Sequence, residues 1–223
     1  MASLSKDVFS FLADLSQNNQ RDWFEANKSV FEKSKKNVLQ WFDETLVLLS
    51  EIDPALSSLK ASDCLYRIYR DTRFSPDKTP YKDHFGLYFT KAGRKFGGAG
   101  FYIHLHPEEV FIGAGCWMPD AEWTKNIRQE IDFNPAEFSQ IMTTLLGNGY
   151  SSMTEGKLSR QPKGYDVSNE AIEWLKLKSW ILTKSFHLEI VTEGDFSKAI
   201  ANAVADTKVL VDFINRCEPG LES

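Results

Sequence analysis

Apolar residues in the first fifty positions recur at helical spacing. Val8, Phe9, Phe11, Leu12 and Leu15 form one stripe, Ser5 stands where a cap is needed, and Asp7 falls in the first turn. This predicts a first helix starting after Ser5. Beyond Asn18-Asn19-Gln20, the positions Trp23, Asn27, Val30, Ser34, Val38, Trp41, Thr45 and Leu48 step by three or four and predict a second, long helix. Asp53-Pro54 ends it, because the residue before a proline is pushed out of the α region. The two helices read as an N-terminal helical hairpin whose aromatics are core. Asn19 is expected to cap the long helix, Trp23 to pack, and Asn27 to tie the helix to a sheet.

The period then changes to two. Leu65–Tyr69 reads as a strand. In 84–90, Phe85, Leu87 and Phe89 alternate with Gly86, Tyr88 and Thr90, and in 101–106, Phe101, Ile103 and Leu105 alternate with Tyr102, His104 and His106. Pro107-Glu108-Glu109 is a turn, so 101–106 and 110–117 are expected to pair as an antiparallel hairpin. Glycines at 93, 97, 98 and 100 precede it as a loop. They do not fit a dinucleotide-binding fingerprint.

Helices return next. Pro119 suits a first helical turn ahead of Trp123, Ile127 and Ile131. Asn134-Pro135-Ala136-Glu137 has the form of a capping box, with Gly147 as the stop. A loop over 155–167 has a turn at Lys163-Gly164, a short helix covers 170–176, and Phe186, Leu188 and Ile190 alternate as a further strand. Asp195 caps a last helix bearing Phe196, Ile200, Val204, Val211 and Ile214. Helices flanking contiguous strands without βαβ alternation argue α+β. The expected fold is a mainly antiparallel sheet from the central segment, flanked by the N-terminal helical hairpin and C-terminal helices. No repeat or long linker divides the 223 residues, so one domain over 1–223 is expected.

Composition excludes disorder, collagen and disulfide-scaffold classes: 42% of residues are hydrophobic and 26% charged. Cys64, Cys116 and Cys217 are odd in number and far apart, which fits free thiols in a reducing cytoplasm. The start lacks a signal-peptide pattern, and no apolar run approaches the ~20 residues of a membrane span. Net charge is −5, yet the segment from Lys60 to Lys95 holds nine Lys/Arg against four Asp/Glu. The chain is not a generally basic nucleic-acid coat, but this one segment can draw an anion.

Within it, Arg67, Arg70, Arg73, Lys78 and Lys82 interleave with Tyr66, Tyr69, Phe74 and Tyr81. Arginine forks match phosphate or carboxylate oxygens, and Ser75, Thr79 and Tyr81 add neutral donors. Three readings stand: a structural loop of Arg pairs with Asp71 and Asp77, a small-anion site, and a nucleic-acid backbone surface. The acidic remainder of the chain disfavours the last. A non-catalytic module docking an acidic partner protein is a further alternative. In the small-anion reading Arg67, Arg70, Arg73 and Lys82 bind the ligand. At least two of Arg67, Arg70 and Arg73 then share one polar pocket with Tyr81 or His104 on its wall. Lys78, Tyr102 and an orienting Asp71 complete the site, and the loop bearing Arg160 and Lys163 is a possible second wall.

The string Arg67-Ile-x-Arg70-Asp71-x-Arg73-Phe74-Ser75-x-Asp77-Lys78-x-Pro80-Tyr81-Lys82 resembles the signature of a mainly bacterial family, domain of unknown function 2461. The fragments around Arg21, Trp23 and Asn27, Tyr102-x-His104, Trp117-x-Pro119, Ile127-Arg128 and Arg160-x-Pro162-Lys163-Gly164 match it too, so the resemblance runs over about 8–214. It implies a single cytoplasmic domain and carries no activity, substrate or cofactor. His106 departs from the family pattern.

His104-x-His106 puts two imidazoles on one strand face, a metal pair in form. The acid that a cupin-like set needs is missing, since Val110 and Phe111 hold its place. No tightly bound metal and no cofactor are therefore expected. Among catalytic templates, G-x-S-x-G, H-E-x-x-H and the P-loop are all absent. His104 is the best proton-transfer residue by type, and whether the chain is an enzyme stays open.

Overall fold

A computed structural model describes residues 3–73, 75–91, 93–94 and 98–219. Phe74, Lys95 and Gly97, named above, lie outside the described residues. The chain divides into two compact units. The first comprises 1–96, 102–112 and 185–202, and the second 97–101, 113–184 and 203–223.

In chain order the elements are helices α1 (Lys6–Gln17), α2 (Arg21–Ala26) and α3 (Lys28–Ile52), a 3-10 turn (Pro54–Leu56), α4 (Ala61–Cys64), strands β1 (Phe85–Phe89), β2 (Gly100–Leu105) and β3 (Val110–Cys116), helices α5 (Ala121–Phe133) and α6 (Pro135–Gly147), β4 (Ser151–Ser152), α7 (Ile172–Leu175), β5 (Trp180–Phe186), α8 (Leu188–Thr192) and α9 (Phe196–Asn215). The fold is α+β, with an antiparallel sheet of order β1-β2-β3-β5-β4 and helices before and after the central strands.

The first helix forms as its pattern requires. Ser5 Oγ accepts from the Asp7 N–H at 3.2 Å, and the five apolar stripe residues are all buried. The long helix, however, is two helices. Asn27 leaves the helical well at φ −105°, ψ 14°, and its Nδ2 donates to Trp23 O within α2 rather than to a sheet. The break lets Phe24 stack on Tyr81 (ring centroids 3.9 Å, planes 14° apart) while Phe31 stacks on Phe85 (6.2 Å). Farther along α3, Trp41 stacks on Phe196 at 5.2 Å. Phe31 and Leu49 are buried where Val30 and Leu48 were expected.

Leu65–Tyr69 is not a regular strand. It joins 81–87 by isolated antiparallel bridges, Leu65 to Leu87 and Tyr69 to Tyr81. A four-residue advance on one side thus faces a six-residue advance on the other. The two extra residues fall at the bend of Asp83-His84, which interrupts the ladder in the manner of a bulge. The hairpin of β2 and β3 forms as expected, closed by reciprocal bonds between His106 and Glu109. Phe101, Ile103 and Leu105 face the core, and Tyr102, His104 and His106 lie half-buried on the other face.

In the second unit Asp120, not Pro119, opens α5, its carboxylate accepting from the Trp123 N–H at 2.8 Å. The capping box at α6 does not form. Asn134 donates instead to Glu130 at 2.9 Å, and Glu137 is taken by Arg216. Gly147 is still helical, and the left-handed residue is Gly149 at φ +83°. Arg128 donates to the carbonyls of Leu175 (2.9 Å) and Leu177 (3.0 Å), fixing the end of α7.

The strand expected at Phe186–Val191 is the end of β5 followed by α8. The Ile190 N–H returns to His187 O at 3.0 Å, so the apparent alternation becomes one helical turn that exposes Leu188 and Ile190 and buries Val191. Asp195 caps the last helix through Lys198 N–H. All three cysteines are free and buried, and burial pushes each thiol up to about 12. No helix among the described residues is long and apolar enough to cross a membrane.

Candidate functional site

A cleft of about 530 Å³ opens in the first unit. Its walls come from Asn19, Gln20 and Arg21, the turn ahead of and into α2, and from the two arms 69–72 and 78–81, whose residues Tyr69 and Tyr81 form a bridge. Asn19 joins the walls. Its Nδ2 donates to Tyr81 O at 2.9 Å and its Oδ1 accepts from Tyr81 N–H at 3.1 Å, so the amide satisfies the outward-facing backbone groups of that arm.

The lining carries three cations, Arg21, Arg70 and Lys78, and no carboxylate. Arg70 is held from one side. Its Nη1 donates to Asp77 and to Thr79 Oγ1 at 2.6 Å. Among the described residues its Nε and Nη2 make no hydrogen bond, so the side edge of the guanidinium, the edge that grips an oxyanion with two parallel bonds, stays open. Asp77 is kept ionised, its carboxyl brought down to about 2 by the Thr79 N–H first and Arg70 next. Lys78 Nζ donates to Thr72 O at 2.8 Å. Tyr81 is buried against Phe24, with Tyr69 at 5.3 Å between ring centroids.

Of the predicted residues, the cleft brings together Arg70, Lys78 and Tyr81. Arg73 lies outside it, forked onto Asp71 at 2.9 and 2.6 Å, and that pairing holds the Asp71 carboxyl below its usual range. One of the three arginines therefore lines the cleft, where at least two were expected. Ser75 is half-buried apart from it. Arg94 is structural, its Nη1 gathering the carbonyls of Ser62, Asp63 and Leu65 at the end of α4. Arg160 and Lys163 are exposed residues of the second unit, on the loop where Gly164 (φ +94°) makes the expected turn.

Tyr102 and His104 belong to a second cluster, on the outward face of β1 and β2. Tyr102 Oη and His104 Nδ1 are 3.0 Å apart. The His104 ring stacks on Phe111 (4.9 Å, 13°) and lies 4.3 Å from the His84 ring. Asp83 sits between His84 Nδ1 (3.2 Å) and His106 Nε2 (3.8 Å). Burial, then the neighbouring His84 and His106, bring His104 down to about 4, and burial pushes the Tyr102 phenol up to about 12. Both are uncharged at neutral pH. Gly86 makes room for this arrangement, since a Cβ there would meet Tyr102 Oη at 2.7 Å. Among the described residues no group of three or more His, Cys, Asp or Glu side chains is arranged to hold a metal ion.

Lys82 and Arg67 lie outside the cleft as well. Lys82 Nζ stands 5.0 Å over the ring of Tyr66, which is 6.5 Å from that of Tyr102.

Sequence reasoning missed Arg21 as a cleft residue and Asp83 and His84 as cluster members. The whole of α3 and α4 lies between Arg21 and Arg70 in the chain, and nothing in either segment signals that both line one cleft. His84 had a weak signal, since it has the parity opposite to Phe85 and so faces away from the core.

Comparison with curated proteins and with solved structures returned no match. A family model, described as conserved hypothetical protein (DUF2461), matches residues 7–213. That span holds the cleft, the histidine cluster and the arginine-rich string between them, and on it the chain belongs to the DUF2461 family of conserved hypothetical proteins.

Proposed function

We propose that the protein binds a small anionic ligand, one bearing a phosphate or carboxylate group, in the cleft between Arg21 and Arg70. The observation that carries this reading is a lining with three cations and no carboxylate. Arg70 is paired with Asp77 through Nη1 alone, and its open edge offers an oxyanion a two-point grip, with the exposed Arg21 and Lys78 adding positive charge to the same lining. Asp77 and Thr79 set the plane of that guanidinium before the ligand arrives, which lowers the ordering cost of binding. Tyr69 and Tyr81 give the ligand an aromatic wall, and Arg21 adds a further cation to the lining. Three free, buried thiols support a cytoplasmic setting.

Titration of the protein with inorganic phosphate and with acetate tests the reading by calorimetry. Arg70→Met should weaken binding by about one to two orders of magnitude, the worth of ~1.5–3 kcal/mol for a charge-assisted contact. Arg21→Ala should weaken it without lowering the melting temperature, because among the described residues Arg21 makes no ion pair. Variants that lose stability but bind as the parent does would return the cleft to a purely structural role. Binding to oligonucleotides alone, with a steep salt dependence, would favour a nucleic-acid backbone surface instead.

A further inference from the structure

Tyr69 is the ring that the cleft leaves in solvent. It is 47% exposed, while Tyr81 is buried. Tilted contacts hold it in place, with Tyr81 at 5.3 Å and Phe24 at 6.1 Å between ring centroids. The segment is not a regular strand, and Tyr69 and the next residue, Arg70, both line the one cavity. A partly open aromatic ring and the free edge of a guanidinium therefore share a single concavity. Apart from Pro80, the two tyrosines are its apolar members, so no aliphatic wall awaits an acyl chain. Gln20 adds an exposed amide, at once donor and acceptor, that makes no hydrogen bond among the described residues.

We propose, resting on the anion-binding reading of this cleft, that its ligand is a nucleoside monophosphate, with the phosphate on Arg70 and the base against Tyr69. Charge, size and surface each narrow the class. Of the three lining cations Arg70 is offset by Asp77, whereas Arg21 and Lys78 have no carboxylate partner among the described residues. Two remaining positive charges suit a phosphate monoester, which carries about −1.5 to −2 at neutral pH, better than a single carboxylate. The cavity of about 530 Å³ falls among those that hold a ligand with an organic body, and inorganic phosphate fills only a small part of it. Every nucleobase has a flat π-face, so an open tyrosine ring adds affinity without choosing between bases. The Gln20 amide is the neutral lining group suited to sugar hydroxyls or a base edge.

Calorimetric titration of the intact protein with AMP, ribose 5-phosphate and phenyl phosphate tests the class. AMP should bind about tenfold or more tighter than ribose 5-phosphate, which has the same phosphate and sugar without the base. Tyr69→Ala should remove that difference and leave the affinity for ribose 5-phosphate as it was, while Tyr69→Phe, which keeps the ring, should preserve it. Arg70→Met should weaken AMP and ribose 5-phosphate by the same factor, about one to two orders of magnitude. The comparison of AMP with ribose 5-phosphate on the unaltered protein decides the matter even where Tyr69→Ala fails to fold. Equal affinities for the two would overturn the nucleotide and leave an anion site standing. Phenyl phosphate bound more tightly than AMP would also overturn it, in favour of a simple aryl phosphate. No binding of any of these, nor of inorganic phosphate, would overturn the anion reading as well.

Discussion

Asn19 holds Tyr81 by both polar groups of its backbone, donating to the carbonyl at 2.9 Å and accepting from the N–H at 3.1 Å. One side-chain amide does here what a neighbouring strand would do. It also anchors the residue whose ring stacks on Phe24 and whose other neighbours line the cleft.

Asn19→Ala should therefore destabilise the protein by about 1–3 kcal/mol, since it leaves a part-buried donor and acceptor unpaired. Asn19→Asp keeps the acceptor and loses the donor, and should fall between. Urea denaturation midpoints measured at constant slope check the order. Equal midpoints for all three proteins would show that water replaces the amide at no cost.

That contact also marks where sequence reading stops. The stripes of α1 and α5 and the alternation of β1 and β2 were legible because burial repeats at a fixed period within one element. The hinge at Asn27 was not, since asparagine is tolerated in helices and the reason for the break, Phe24 meeting Tyr81, lies over fifty residues away. β5 was hidden because Trp180, Ile181 and Leu182 are consecutive apolar residues and its far end is polar, so the period-2 signal moved to Phe186, Leu188 and Ile190. The basic string was visible as chemistry. Its division into Arg73 paired with Asp71, Arg70 in the cleft, and Lys82 over Tyr66 depends on which way each side chain leaves an irregular ladder.

His104 sets a pH dependence. Its folded value, about 4, lies below the ordinary 6.5. Above pH 6.5 neither the folded nor the unfolded chain protonates it, and it contributes no slope. Between 6.5 and 4 the unfolded chain binds the proton and the folded one does not, so stability falls as pH falls. Solvent screening of a half-buried ring limits the loss to about 1–2 kcal/mol. His84, also shifted down, chiefly by burial, adds in the same direction. Melting temperatures from pH 7.5 to 4.5 should show the decline, and His104→Gln should flatten part of it. An unchanged slope in the variant would place the acid sensitivity elsewhere.

Gly86 gives a test of the Tyr102–His104 arrangement. An alanine methyl at 86 would stand 2.7 Å from Tyr102 Oη and 3.0 Å from Cε2, closer than real contacts allow. The ring is held by His104 on one side and faces Tyr66 and Phe111, so it has little room to move. Gly86→Ala should cost about 1–3 kcal/mol. Adding Tyr102→Phe removes the nearest atom, so the double variant should be more stable than the sum of the single effects predicts, a coupling of about 0.5 kcal/mol or more. Strict additivity would mean that the strand, not the phenol, absorbs the methyl.

Gly115 makes the corresponding test in the second unit, with a different expected outcome. Its φ of +129° is a conformation that side chains rarely adopt, and a Cβ at that position would overlap the carbonyl oxygen of Trp180 and crowd its carbon at 2.9 Å. The obstacle is backbone of β5, and no rotamer change clears it. The ring of Trp180 is fully buried, with its indole N–H on Trp174 O at 3.2 Å, so the strand cannot retreat without opening that packing. Gly115→Ala combines a forbidden dihedral with a backbone clash, both among the mechanisms behind exceptional losses of more than ~4 kcal/mol. The variant should be insoluble or should lose the protease resistance of residues 113–184. Recovery of folded Gly115→Ala with a melting temperature near that of the parent would show that β3 and β5 can part here at little cost.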